Sequence, residues 1–271
     1  MNNLLKRAIT GSVYVLSVIA AIFIHPIVTS AYFFIIAMIG LWEFYNISSK
    51  QNDIKPNTIT GYLIAIATYI AMNENLLGQT VAKAGLFSAL ILLFVLTIAE
   101  LYRKSEKPFS NIAYTILSIV YIVVPLGCVN IIMDVNSSHP QMILMSVFIF
   151  AWANDTFAYL TGMKFGKHKL FERISPKKTW EGWIGGFVFT IIAAIVISKF
   201  STALPIGDFI IVAVITSVIG TFGDLVESML KRQVGVKDSG NILPGHGGIL
   251  DRFDILLLVL PAITLLFVIL Q

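Results

Sequence analysis

Charge is what this sequence has least of. Only 13% of its 271 residues are Asp, Glu, Lys or Arg, whereas 57% are hydrophobic. A soluble globular domain carries about 25% charged residues. With a mean hydropathy of +0.85, polar surface is too scarce to cover a water-soluble globule of this size, and the bilayer is the natural solvent. Cysteine is nearly absent as well. Cys128 stands alone, which excludes an intramolecular disulfide and a cysteine metal cluster, and its apolar surroundings make it a packing residue. Apolar/polar alternation is also missing, which excludes a transmembrane barrel. Unbroken runs such as Ile191–Ile197 and Ile255–Leu260 instead predict helices that satisfy their own backbone. No internal repeat, low-complexity tract or soluble domain is visible.

What is present is a series of apolar segments of bilayer-spanning length, near 8–24, 29–47, 59–73, 84–102, 111–133, 142–161, 183–199, 209–230 and 252–270. The expected fold is therefore all-α and polytopic, with about nine transmembrane helices; the third is short enough to be re-entrant. Met1–Arg7 is basic and precedes an apolar stretch, but no small-residue cleavage site follows at Ile22–Pro26, so this segment reads as a first membrane helix. We expect one integral membrane unit in which 1–140 supplies N-terminal helices and 141–271 carries the chemistry. With the N-terminus placed inside, 17 of the 19 Lys and Arg residues fall in inner loops and only Lys83 and Lys199 fall outside. The positive-inside rule thus predicts a plasma-membrane protein with a cytoplasmic N-terminus and an external C-terminus. The net charge of +4 lies in loops, where it suits anionic lipid or phosphate partners and not nucleic acid.

Acids inside apolar helices are costly and usually face a bundle interior or an aqueous cavity. Glu43, Glu100, Asp155, Asp224 and Glu227 all fall in the inner halves of predicted spans, which suggests a polar cavity open to the cytoplasm. Glu43 and Glu100 have an alternative, snorkelling at helix ends. Two inner loops are dense in polar residues. Gly162–Gly182 holds six Lys/Arg and a Ser175-Pro176-Lys177-Lys178-Thr179 cluster, suited either to a polyphosphate or to headgroup contact. In the second, Asp224, Ser228 and Lys231 share a helix face, with Glu227 at its border. Arg232, Lys237, Gly245, His246, Gly247, Gly248, Asp251, Arg252 and Asp254 follow. Carboxylates are hard ligands suited to Mg²⁺. Lys and Arg hold phosphate oxygens, glycines let backbone N–H groups approach a ligand, and His246 can donate to phosphate or serve in acid–base chemistry. Together these parts point to phosphoryl or nucleotidyl transfer; a transporter is the rival from another class.

At these residues the sequence resembles the phosphatidate cytidylyltransferase (CDP-diacylglycerol synthase) family. The pattern reads Ser228, Lys231-Arg232, Lys237-Asp238, His246-Gly247-Gly248, Asp251-Arg252 and Asp254, and the upstream Trp152–Asp155 and Ser175–Gly182 resemble family blocks too. The resemblance implies CTP and phosphatidic acid as substrates and CDP-diacylglycerol and pyrophosphate as products. It also implies Mg²⁺, a candidate second cation and a homodimer in the lipid bilayer. Carried onto this chain, it implies catalytic roles for Asp224, Lys231, Asp251 and Asp254, with Asp224 and Asp251 as metal ligands. Substrate binding would fall to Asn154, Asp155, Ser175, Lys177, Lys178, Thr179, Ser228, Arg232, Lys237, Asp238, His246, Gly247, Gly248 and Arg252.

Overall fold

Hydrocarbon offers a backbone no hydrogen-bonding partner, so an apolar chain must fold into helices and change direction only where a cap can satisfy the loose ends. The punctuation of this sequence follows that rule. The computed structural model describes residues 3–51, 53–243, 245 and 247–270, without the side chains of 3–6 and 270. The first two helices, α1 (Asn3–Ile24) and α2 (Pro26–Ser48), are split at His25. Its Nδ1 accepts from the Ile27 amide, and Pro26 occupies the first helical position, where its missing N–H costs nothing. Then come α3 (Thr58–Ala71), capped by Asn57, the single turn α4 (Glu74–Leu77) and α5 (Gln79–Tyr102). Pro108 and Pro140 open α6 (Pro108–Ser118) and α8 (Pro140–Phe165) in the same way as Pro26. Between α6 and α7 (Val124–Ile132) the helix widens to a π turn at Ile119–Val123. That widening sits where the ring of Pro125 would otherwise strike the carbonyl one turn back. An antiparallel hairpin, β1 (Lys169–Phe171) and β2 (Ser175–Thr179), pairs Lys169 with Thr179 and Phe171 with Ser175. The helices α9 (Trp180–Phe200), α10 (Ile206–Gln233) and α11 (Leu250–Leu270) complete the chain.

Among the described residues, eight helices are long and apolar enough to cross a membrane, with α6 and α7 counting as one span. The polytopic all-α fold is as expected. The third apolar segment is the exception in length: at 14 residues, α3 extends about 21 Å at 1.5 Å per residue, short of a hydrocarbon core of about 30 Å. The β-hairpin was not foreseen, because its basic sequence carries no strand periodicity.

The chain divides into two units, one of residues 1–131 and 233–252, the other of 132–232 and 253–271. In the first, α3 and α5 pack through small residues: a Cβ on Gly85 would lie 2.8 Å from both the Ala67 carbonyl and the Ala71 amide. Without a hydrophobic drive between helices in lipid, close backbone approach is what holds them. A polar clamp joins their ends. Glu100 is buried, ion-paired to Arg103, and accepts from Asn111 Nδ2 at 3.1 Å. Arg103 also donates to the Lys55 carbonyl at 2.9 Å, while the Lys55 amide donates to Asn111 Oδ1 at 2.7 Å. Lys55 and Arg103 therefore lie at the same end of the α3–α5 hairpin. In the second unit, α8 and α9 approach through glycines. A Cβ on Gly182 would lie 2.8 Å from the Ala158 carbonyl, and one on Gly186 2.7 Å from the Asn154 carbonyl. Phe157 and Phe189 stack beside them at 3.8 Å.

Asn111 donates to Glu100 and Ser105 and accepts from Lys55, and a buried donor left unsatisfied costs roughly 1–3 kcal/mol. Asn111→Ala should lower the thermal denaturation midpoint in detergent, with a loss of about 2 kcal/mol; an unchanged midpoint would show that the clamp does not hold these helix ends.

Candidate active site

Residues of the second unit gather an excess of carboxylates. Glycine again sets the geometry: a Cβ on Gly223 would lie 2.6 Å from the Asp254 carbonyl, so α10 and α11 touch backbone to backbone there. That contact brings Asp224, the next residue, beside Asp254, and Asp155 of α8 and Glu227 of α10 are the other charged neighbours of the part-buried Asp254 carboxyl. Two of these acids pair with lysines. Lys178 of β2 pairs with Asp224, and the buried Lys231 pairs with Glu227. Ser228 Oγ donates to the other Asp224 oxygen at 3.2 Å.

Asp224 and Ser228, which share a helix face, are in contact. Lys231 pairs with Glu227, one turn away; Asp224 lies seven residues back, about 10 Å along the axis. The cation for Asp224 comes from the basic hairpin. A cavity of about 520 Å³ opens beside these groups. Asn154, Asp155, Lys177, Lys178, Thr179 and Asp224 form its polar lining, while Tyr159, Met163, Leu170 and Trp183 form an apolar one. Asn154 is buried and accepts from Ser217 at 2.6 Å. The buried Thr179 accepts from the Gly182 amide at 3.2 Å as the N-cap of α9, a positioning task that its place in a basic cluster did not announce. Ser175 is half-buried at the start of β2. The hairpin is anchored by Glu181, whose carboxylate accepts from the Lys167 amide at 3.0 Å and meets His168 Nδ1 at 2.6 Å. Neither Glu181 nor His168 stood out in the sequence.

In the first unit the loop before α11 folds around a second centre. Asp251 Oδ2 accepts from the Ser239 amide (2.8 Å), the Ser239 hydroxyl (2.9 Å) and the Gly248 amide (2.8 Å). Gly247 has φ of +87°, a conformation that favours glycine, and a Cβ there would lie 2.5 Å from that same oxygen. Arg252 is held by its carbonyl, which accepts from Tyr14 at 3.2 Å. Its Nε is buried with no hydrogen-bond partner among the described residues. Arg232, Lys237 and Asp238 are exposed. His246 lies outside the described residues.

Two expectations about the intramembrane acids are corrected. Glu43 and Glu100 do not snorkel; both are buried. Nor do they line the cavity that Asp155 and Asp224 line. Glu100 belongs to the clamp described above, and Glu43 accepts from the amides of Ile249 and Leu250 at 2.9 Å each. A lone acid in an apolar helix was visible in the sequence; its partner, some two hundred residues later, was not.

Fold and side chains together define a class, a polytopic helical membrane protein carrying the carboxylates, lysines and glycine turn of phosphate chemistry. Comparison with known proteins narrows it. Residues 5–270 match the cytidylyltransferase family. Over 236 residues, 87% of this chain and 88% of the relative, the sequence is 38% identical to a phosphatidate cytidylyltransferase of Staphylococcus haemolyticus. It is 34% identical over 263 residues to one from Staphylococcus epidermidis, covering 97% of this chain and 98% of the relative. The chain belongs to the cytidylyltransferase family and is a nucleotidyl-transferring membrane enzyme.

The Gly223 contact yields a test. Gly223→Val should leave the protein helical and monodisperse in detergent while cutting CTP turnover by about tenfold or more, because added bulk there moves Asp224 relative to Asp254 and small misplacements cost large factors. Wild-type turnover would show that this backbone contact does not position the carboxylates.

Proposed function

We propose that the enzyme transfers CMP from CTP to phosphatidic acid, leaving CDP-diacylglycerol in the bilayer and releasing pyrophosphate. The observation that carries this reading is the mixed lining of the cavity in the second unit. It combines Lys178, Lys177, Asp155 and Asp224 with Tyr159, Met163, Leu170 and Trp183. A phosphate-bearing lipid needs both kinds of group at once. The curated relatives are named for that activity, and the Ser228–Asp254 pattern supports the same reading.

In the proposed reaction a phosphate oxygen of phosphatidic acid attacks the α-phosphorus of CTP. A new P–O–P bridge forms, the bond between the α- and β-phosphates breaks, and pyrophosphate leaves with the electron pair. Phosphatidate is already anionic near neutral pH, so the protein needs no strong base; its tasks are positioning and neutralising charge. Lys178, Lys177, Arg232, Lys237 and Arg252 are proposed as phosphate contacts. The buried, unpartnered Arg252 Nε suits an oxyanion, since an unsatisfied buried charged donor is costly. Lys231, paired to Glu227, is proposed to offset negative charge beside the reacting phosphates.

The donor set fits a hard divalent cation. Asp155, Asp224, Glu227 and Asp254 are hard oxygen donors gathered in one unit. Magnesium is usually held by one or two carboxylates and completed by water and substrate phosphates. Magnesium would supply charge neutralisation on the triphosphate; Asp224 and Asp251 as its ligands, a second cation and a homodimer are proposed on the resemblance alone. The active site is proposed to face the cytoplasm, where CTP is found. The inner-loop bias of Lys and Arg supports that side, as does the Arg103–Lys55 contact, which keeps two basic loops together even though α3 is short.

Purified protein given labelled CTP, phosphatidic acid in mixed micelles and Mg²⁺ should form one organic-soluble nucleotide lipid per pyrophosphate released. Release of CMP instead would indicate a transferase of another kind. Asp224→Asn and Asp251→Asn should each lower kcat by about 100-fold or more, and wild-type activity across a magnesium titration would remove that residue from the metal assignment.

A further inference from the structure

Glu43 is the most completely buried acid of the first unit, at 0% exposure in the last third of an apolar helix. A carboxylate there is costly unless its oxygens are filled, and they are. Oε1 accepts from the Ile249 amide and Oε2 from the Leu250 amide, both at 2.9 Å, so a side chain of α2 occupies the N-terminus of α11. Those amides are among the donors a helix leaves unsatisfied, and the helix dipole favours an anion at that end. The arrangement does more than cap a helix. Ser239 Oγ lies 3.0 Å from Glu43 Oε2 and 2.9 Å from Asp251 Oδ2, bridging the two carboxylates. The loop is also shaped to this one side chain. A Cβ on Gly240 would lie 2.5 Å from Glu43 Oε1, and one on Gly248 would collide with Glu43 and with Ser239 Oγ. The amide of Gly248 in turn donates to Asp251 Oδ2 at 2.8 Å. Every route from Glu43 (the α11 terminus, the Ser239 bridge and the Gly248 turn) ends on Asp251.

We infer that Glu43 is a positioning residue for the transfer reaction, acting through Ser239 and Gly248 to fix the direction in which Asp251 presents its carboxylate. This rests on the reading of Asp251 as a magnesium residue. A helix cap alone would account for the two backbone contacts but not for the serine bridge or for glycines fitted around the same carboxylate.

The test compares Glu43→Gln with Glu100→Gln, another buried acid, whose partners are Arg103 and Asn111. A carboxamide at position 43 would turn an NH₂ group towards a backbone N–H and loosen the loop. Glu43→Gln should raise the magnesium concentration for half-maximal rate by about tenfold and speed amide hydrogen exchange across residues 239–251. Glu100→Gln should lower the denaturation midpoint without moving the magnesium midpoint. Ser239→Ala, which removes only the bridge, should shift the magnesium midpoint in the same direction with the fold intact, and it serves as the primary variant if Glu43→Gln does not fold. Two results would overturn the inference: a wild-type magnesium midpoint in Ser239→Ala, or a Glu43→Gln protein that loses stability alone, as Glu100→Gln does. An unchanged magnesium midpoint in Asp251→Asn would fail the metal reading of Asp251 instead. In that case unaltered exchange across 239–251 in Glu43→Gln would overturn the positioning role too, whereas faster exchange would uphold it.

Discussion

The loop that carries the family's motif is built around the buried carboxylate of Glu43. In water the first amides of α11 could be hydrated and the glycine turn before it could sample many shapes. In an apolar surrounding neither option exists, because unsatisfied backbone donors cost about as much as the fold can spare. One charged side chain from α2 satisfies Ile249 and Leu250 directly and shares the Ser239 hydroxyl with Asp251. Gly240 and Gly248 leave it the room. Hydrogen bonds to charged groups contribute more than neutral ones, and here they converge on a single residue.

The same constraint governs the other ionised groups. Glu100 takes Arg103 and Asn111, Glu227 takes Lys231, and Asp224 takes Lys178. Breaking such a pair strands a charge in a poor solvent, which costs far more than breaking a surface pair. Carboxylates gather most closely around Asp254, where Asp155, Asp224 and Glu227 are its charged neighbours, and two of these, Asp224 and Glu227, pair with Lys178 and Lys231. Asp155, Asp224 and Lys178 of this group line the cavity.

Glycine does the mechanical part of this work. At Gly182 and Gly186 it brings α8 and α9 into backbone contact, and at Gly223 it does so for α10 and α11. Lipid tails are as apolar as leucine, so bulk would not draw these helices together, and close approach is what gains packing energy. Asp155, on α8, and Asp224, beside Gly223, are carried to the cavity by those contacts.

The sequence by itself determined the solvent, the all-α architecture, the prolines and caps that divide the helices, the bias of positive charge and the family to which the Ser228–Asp254 pattern belongs. These are local properties: hydropathy, composition and spacing along the chain report them without reference to what folds against what. Only the tertiary structure decided which group answers which buried charge. Glu43 and Glu100 looked alike as acids near helix ends, yet one caps a helix whose first amides lie some two hundred residues further on, and the other ties down Arg103 and Asn111. Asp224 and Lys231 share a helix face by spacing, but the lysine that reaches Asp224 is Lys178, from a hairpin 46 residues upstream. The reason is physical: a charge in a low-dielectric surrounding is satisfied by whichever opposite group the packing brings within hydrogen-bonding reach, and that proximity is set by glycine contacts between helices rather than by distance along the chain.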